Sequence, residues 1–368
     1  MKRIMRKRTK RLIIAGGGTG GHFYTGVALA EEWLSRDKEA SALFVGTERG
    51  IEAREAPALG FEIELLRVLP LKRIGFWQKI KALAVLPFAV WDAYKIVRAS
   101  DPDYVISVGG YAAGPVGVAA WLCGKPLLIL EQNSVPGFTN KVLSFLASRI
   151  FVAFSNSARY FFNRKKVVVS GNPLRKSVVE LALEPKPERG SPLLVITGGS
   201  QGAVGMNQLV LDAIKVIKDD LKNVEIIHQC GEVGFETTRE RYAELGLRAE
   251  VKPFMKDIVR HFFAATLIIS RAGATTISEI LALAVPALYI PFPFAADDHQ
   301  RLNVSDSVVA GAALSFDQFT TAPEVLAAAI KKILFNAKLR AEMTAAAKKL
   351  GKPHSAKEII DAIMELKT

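Results

Sequence analysis

Short runs rich in β-branched and other apolar residues recur along the chain, most of them closed by a turn and followed by a stretch with helical spacing. The first series is Leu12–Ala15, Ala42–Val45, Tyr104–Val108, Leu127–Leu130, Ile150–Phe154 and Val167–Ser170. A second comprises Leu193–Thr197, Val224–Gln229, Thr266–Ser270 and Ala287–Pro291. Runs without polar alternation predict strands covered on both faces. Their alternation with helices predicts parallel α/β sheets.

The pattern repeats. RLIIAGGGTGGH (11–22) and PLLVITGGSQGA (192–203) each read as strand, glycine turn and helix start. Two such openings predict two doubly wound, Rossmann-like domains, not one long sheet. The boundary is expected near GNPLR (171–175), before the loop-like LEPKPERGSP (183–192), giving domains over 1–172 and 173–351. A last helix, about Ser355 to Leu366 within 352–368, is free to pack on either domain.

Two apolar stretches are too broken to span a membrane, which takes about 20 apolar residues. Ile280–Ala296 contains Pro286, Pro291 and Pro293, and Ala112–Leu130 contains Lys125, Pro115 and Pro126. The amino terminus is rich in Lys and Arg, but its apolar run, Leu12–Ala15, is shorter than the roughly 7–15 residues a signal peptide needs. A cytosolic chain that does not span a membrane is expected.

Composition adds one strong feature. Of 368 residues, 50% are hydrophobic and 23% charged, which excludes a disordered chain. Two cysteines exclude a disulfide scaffold. The net charge is +13, and all of it sits in residues 1–175, with 26 Lys+Arg against 13 Asp+Glu. Such asymmetry predicts an anionic partner for that half: nucleic acid, anionic lipid or a phosphorylated substrate.

The turns carry the candidate chemistry. Gly16, Gly18 and Gly21 match the dinucleotide spacing. A nicotinamide site also wants an acid at the end of the second strand, and Glu48 comes late, past Gly46. His22, directly after Gly20 and Gly21, is placed to accept a proton or simply to bond the backbone at a helix start. Gly198–Gly202 offers backbone N–H groups and Ser200 at a helix start, the ingredients of an anion site. In SRAGATTISE (270–279), Glu279 is expected in the first turn of a helix, stabilised by its dipole or accepting from two sugar hydroxyls. Asp297, Asp298 and His299 are too close in sequence to converge on one metal ion, and Asp101-Pro102-Asp103 reads as a turn.

With TGGH (19–22), GGSQGA (198–203) and SRAGATTISE (270–279), the chain resembles the MurG family of bacterial N-acetylglucosaminyltransferases. GGYAAGP (109–115), EQNSVPGFTNK (131–141), GNPLR (171–175) and HQRLN (299–303) extend the resemblance from about residue 11 to the carboxyl terminus. It implies a GT-B fold, two Rossmann-like domains facing across a cleft. It implies UDP-N-acetylglucosamine as donor, lipid I (undecaprenyl-pyrophosphoryl-muramoyl-pentapeptide) as acceptor and lipid II as product. By the same resemblance, Ser200 and Arg175 lie near the diphosphate, and Met255 contacts uracil through its backbone. Ala274, Thr275, Thr276, Ile277, Ser278 and Glu279 hold the nucleotide, and Gln300 with Asn303 reaches the donor sugar. Thr19, Gly20, Gly21, His22, Tyr111, Asn133 and Asn140 line the acceptor side, with His22 the candidate base. No cofactor or metal is implied. The expected place is the cytoplasmic face of the plasma membrane, with other cell-wall synthesis proteins as partners. Where the family usually has proline, three residues after the histidine, this chain has Thr25.

The segment 69–100 carries Trp77, Ile80, Ala84, Phe88 and Trp91 at helical spacing among Lys72, Arg73, Lys79, Lys81, Lys95 and Arg98, with Pro87 expected to kink or divide the helix. Interfacial helices have this make-up, and so do crossover helices packed on a sheet. The charge of the same half favours binding to an anionic membrane surface. Two rival readings remain. One is another GT-B transferase with a different nucleotide sugar or lipid acceptor. The other is a nucleic-acid-binding protein, which the gathering of aromatics in one helical segment argues against.

Overall fold

The computed structural model describes residues 10–68, 76–199 and 202–366, and of residues 76–83 the backbone alone. The basic tail before Lys10, Lys72, Arg73, and the side chains of Trp77, Lys79, Ile80 and Lys81 lie outside the described residues. The chain divides into two units, Met1–Arg175 with His354–Thr368, and Lys176–Pro353.

The first unit holds β1 (Arg11–Gly16), β2 (Ser41–Thr47), β3 (Glu62–Leu66), β4 (Tyr104–Gly109), β5 (Leu127–Glu131), β6 (Arg149–Val152) and β7 (Val167–Val169). They form one sheet in the order β3-β2-β1-β4-β5-β6-β7, with every pairing parallel. The second unit holds β8 (Leu193–Thr197), β9 (Glu225–Gln229), β10 (Ala249–Lys252), β11 (Leu267–Ser270), β12 (Ala287–Tyr289) and β13 (Ala313–Ser315). Their order is β10-β9-β8-β11-β12-β13, again parallel throughout. Each is a doubly wound, Rossmann-like sheet.

The uninterrupted apolar runs have a direct cause. Leu12 and Ile14 of β1 join a core with Phe23, Trp33 and Phe44 on one face of the sheet. Ile13 and Ala15 join Val105, Ile129, Val116 and Ala120 on the other. A strand covered on both faces needs apolar residues at every position. The helix Ser355–Met364 packs on the first unit, where Ile359, Ile360 and Ile363 are fully buried. Each such side chain contributes about 1.5–3 kcal/mol of burial, enough to fix the carboxyl terminus on this sheet.

The first unit also contains the helices α1 (Gly20–Arg36), α2 (Glu52–Ala58), α3 (Phe76–Ser100) and α4 (Ala113–Leu122). Helix α3 runs unbroken through Pro87, which therefore does not divide it. The proline is exposed, so the carbonyl that loses its partner there can face water. Ala89, Ala93 and Val97 bury one side of the helix, while Phe88 and Trp91 stand 72% and 59% exposed. The segment is thus a crossover helix on its inner face, with exposed aromatic and basic residues on its outer one. Among the described residues, no helix is long and apolar enough to cross a membrane.

The second unit buries a titratable group in its core. The ring of His228 lies between the Tyr242 hydroxyl (3.1 Å from Nδ1) and Asn207 Oδ1 (3.3 Å from Nε2), with no exposure. Burial lowers its pKa from 6.5 to about 3. The unfolded chain takes up this proton as the pH falls below 6.5 and the folded chain does not, so acid destabilises the unit. The slope should approach about 1.4 kcal/mol per pH unit between 6 and 4. Hydrogen exchange of β8 and β9 amides at pH 7, 6 and 5 measures it. His228→Gln should flatten the dependence, and an equally steep slope in that variant would show that another group causes it.

Candidate functional site

In a parallel sheet the carboxyl ends of all strands share one edge, and ligands bind where the strand order reverses. In the first unit the reversal lies between β1 and β4. The turns after these two strands touch. Gly17 N–H donates to the Gly109 carbonyl at 3.2 Å. A Cβ on Gly16 would lie 1.9 Å from Gly109 O, and Gly16 and Gly109 both have positive φ, so only glycine fits this contact.

Thr19 precedes α1, and Gly20, Gly21 and His22 are its first residues. His22 Nδ1 lies 3.2 Å from the Gly17 carbonyl and 3.3 Å from Thr19 Oγ1. A carbonyl only accepts, so the contact is a hydrogen bond when Nδ1 carries the proton, and in that neutral tautomer Nε2 keeps its lone pair. Nε2 faces the second turn, 3.3 Å from where a Cβ on Gly109 would be. Thr25, in the place of the family's usual proline, donates from Oγ1 to the Gly21 carbonyl at 2.7 Å and sits 3.4 Å from Asn172 Oδ1. It secures the start of α1 without touching the His22 ring.

The glycine turn is already occupied. Glu52 at the start of α2 is 1% exposed, and its Oε2 accepts from Gly18 N–H at 2.7 Å. Its Oε1 accepts from Thr47 N–H (2.9 Å) and Thr47 Oγ1 (3.2 Å). A Cβ on Gly17, Gly46 or Gly50 would fall within 2.3 Å of this side chain. The Gly16-Gly18-Gly21 spacing therefore receives an internal carboxylate where a dinucleotide would place phosphate. This is the physical reason against the nicotinamide reading.

Tyr111 is exposed on the β4–α4 turn. Asn140 is 1% exposed and its amide is engaged within the fold. Its Oδ1 accepts from Ser107 Oγ at 2.9 Å, and its Nδ2 donates to Leu130 O and Glu131 Oε2. Glu131 Oε1 also accepts from Asn133 N–H and Oε2 from Gly137 N–H, both at 3.0 Å. Asn140 and Glu131 thus shape the loop that carries Asn133. Arg175 closes the unit, its guanidinium 5.5 Å from the ring centre of Tyr24 on α1.

In the second unit the reversal lies between β8 and β11. Ser200 lies outside the described residues. Gln229 at the end of β9 donates from Nε2 to the Gly199 carbonyl (3.0 Å) and accepts at Oε1 from Met255 N–H (2.8 Å). Met255 therefore has its carbonyl, not its N–H, to offer a base. After β11, the helix Ala274–Ala282 presents Thr275 and Thr276 in its first turn, while Ala274 and Ile277 are buried. Ser278 Oγ donates back to the Ala274 carbonyl. Glu279 is the sixth residue of this helix, not part of its first turn, and is 6% exposed. The dipole argument for it weakens, since that effect fades past the first turn. Gln300 Oε1 accepts from Ala272 N–H (3.1 Å) and Phe292 N–H (2.9 Å), which leaves its NH2 to donate outward. Asn303 is fully buried and donates to the Ala272 carbonyl at 3.2 Å. Together they pin the β11 turn. Asp298 pairs with Arg301 at 3.1 Å, and among the described residues no group of three His, Cys, Asp or Glu could hold a metal ion.

Sequence reasoning missed Glu52, Glu131, Gln229 and Arg271. Arg271 is buried after β11, where Nη1 donates to the Ile290 and Pro291 carbonyls at 3.0 Å and burial lowers its pKa to about 10. The usable signal was position. Glu131 and Gln229 end their strands and Arg271 directly follows one.

Comparison with known proteins agrees with this architecture. Residues 12–152 match the glycosyltransferase family 28 N-terminal domain and residues 193–359 its C-terminal domain. A relative from Myxococcus xanthus is 42% identical over 97% of this chain and 93% of its own length. It is named UDP-N-acetylglucosamine–N-acetylmuramyl-(pentapeptide) pyrophosphoryl-undecaprenol N-acetylglucosamine transferase. One of the same name from Syntrophus aciditrophicus is also 42% identical, over 97% of this chain and 99% of its own. The crystal structure of Acinetobacter baumannii MurG superposes with a TM-score of 0.78 at 32% identity, covering 97% of this chain and all of that one. Two parallel Rossmann-like sheets, both family 28 domains and these full-length likenesses have one meaning: the chain is a glycosyltransferase of GT-B fold and belongs to the MurG family.

Proposed function

We infer that the protein transfers N-acetylglucosamine from UDP-N-acetylglucosamine to the muramoyl 4-hydroxyl of lipid I, forming lipid II for peptidoglycan synthesis. The observation that carries this reading is the likeness over 97% of the chain to transferases so named, joined to a His22 ring whose Nε2 is free to accept a proton. The first unit takes the acceptor and the second the nucleotide sugar. His22 Nε2 removes the hydroxyl proton as the oxygen attacks C1 from the face opposite UDP. A single displacement inverts the anomeric centre and needs one base. Charge growing on the departing UDP is met by the helix start at Ala274–Thr276 and by Ser200 and Arg175, so the step needs no metal in this reading. Glu279 holds the ribose hydroxyls and Gln300 donates its NH2 to the sugar. Transfer of labelled N-acetylglucosamine onto a lipid I analogue tests the reaction. UDP-glucose or UDP-galactose serving equally well would favour the alternative, a GT-B transferase of different specificity.

A lipid-borne acceptor is taken from a bilayer, and the first unit is suited to the anionic cytoplasmic face of the plasma membrane. Phe88 and Trp91 stand exposed on α3 with Lys95 and Arg98 among them. Beside them Val85, Leu86, Val90, Val118 and Phe138 line an apolar cavity. Interfacial burial of such aromatics and attraction of about 1 kcal/mol per basic residue would act together. Sedimentation with anionic vesicles should fall by about tenfold in a Phe88→Ser, Trp91→Ser variant and weaken with salt. Binding indifferent to both changes would remove the membrane reading and leave the transfer reaction in place.

A further inference from the structure

Glu52 and His22 are 30 residues apart in sequence and share no direct bond, yet one peptide group connects them. Gly18 N–H donates to Glu52 Oε2 at 2.7 Å, and the carbonyl of the same peptide, that of Gly17, faces His22 Nδ1 at 3.2 Å. The peptide is trans, so its N–H and C=O point in opposite directions. The order of groups is therefore carboxylate, peptide, imidazole. We infer that Glu52 is a positioning residue for the transfer. Through the Gly17–Gly18 peptide its carboxylate holds His22 as the Nδ1–H tautomer, with Nε2 turned to the turn at Gly109.

Three observations carry this. The carboxylate is nearly sealed from water, so its charge acts on its hydrogen-bond donors with little screening. The fold keeps a slot for it: any Cβ on Gly17, Gly46 or Gly50 would fall within 2.3 Å of its side chain. The peptide it grips has no side chain to hold it, since Gly17 and Gly18 are both glycines with positive φ. Hydrogen bonds in series polarise one another, by roughly 10–30% per bond. A negative group at the N–H end makes the Gly17 oxygen a stronger acceptor for the Nδ1 proton. The arrangement does what a carboxylate bonded directly to a histidine does, with one peptide interposed.

This inference rests on the reading of His22 as the base, and the experiment separates the two. The full-length protein is labelled with ¹⁵N-histidine and the His22 signals are identified by their loss in His22→Gln. Wild type is expected to show Nδ1–H at neutral pH. In Glu52→Gln one amide oxygen cannot serve both Gly18 N–H and Thr47 N–H, so a mixture with the Nε2–H form should appear. Its kcat should fall about tenfold with the KM for UDP-N-acetylglucosamine within about twofold. Glu52→Asp keeps the charge and should recover part of the kcat. Ala56→Gly, buried on the same helix, should lower the melting temperature while keeping tautomer and kcat, as a purely structural role of α2 would not predict for Glu52→Gln. An Nε2–H tautomer in wild type, or an unchanged Nδ1–H tautomer in Glu52→Gln, overturns the inference. Full activity of His22→Ala with the tautomer shift intact overturns the base reading alone.

Discussion

Replacing His22 with alanine lowers kcat for transfer onto a lipid I analogue by about 10²–10⁴-fold, the usual contribution of a positioned general base. The magnitude follows from the chemistry. A sugar hydroxyl is a poor nucleophile until its proton has somewhere to go, and Nε2 is the unprotonated ring nitrogen in the tautomer that donates from Nδ1 to the Gly17 carbonyl. The same variant should bind UDP as tightly as wild type, because His22 makes none of the proposed nucleotide contacts. Calorimetry with UDP and single-turnover transfer separate the effects. A fall of less than about threefold would move the base elsewhere. A weakened UDP affinity would point to misfolding.

How legible this site was depended on which physical signal each part uses. Strands such as β1 and β8 announce themselves because both faces are covered and every residue must be apolar. β3, β10 and β13 were not among the runs read, and all three are sheet edges. An edge strand is half solvated, so Glu62, Glu64, Glu250 and Lys252 interrupt its pattern. The glycine turns were legible because positive φ leaves a mark in sequence. What fills them was not. Glu52 follows Glu48 by only four residues, but its role comes from bonds to Gly18 and Thr47 that exist once the chain has folded back. Glu279 was placed one turn early, because a run of small residues does not say which of them begins the helix. Asn140 and Asn303 belong to recognisable motifs, yet their amides are bonded inward, so a motif shared with a family marks a place more surely than a contact.

That distinction can be tested at Glu279, where the second large effect is expected. Glu279→Ala should lower kcat/KM for UDP-N-acetylglucosamine by about 10²-fold, since two hydroxyls bonded to one carboxylate contribute about 1.5–3 kcal/mol each before losses from geometry and solvation. Glu279 is almost buried, and truncation could act by loosening the helix Ala274–Ala282. The 2′-deoxy analogue of the donor distinguishes the two causes. If the carboxylate holds the ribose, wild type discriminates against the analogue by about tenfold or more, while Glu279→Ala treats both donors alike. If Glu279 only supports the helix, the variant is slower with both donors and the ratio between them stays that of wild type. Glu279→Gln refines the same comparison. Its amide can accept from one hydroxyl but meets the other with a donor, so its ratio should fall between those of wild type and alanine. A ratio that does not respond to either substitution would assign the ribose hydroxyls to another residue, whatever the loss in rate.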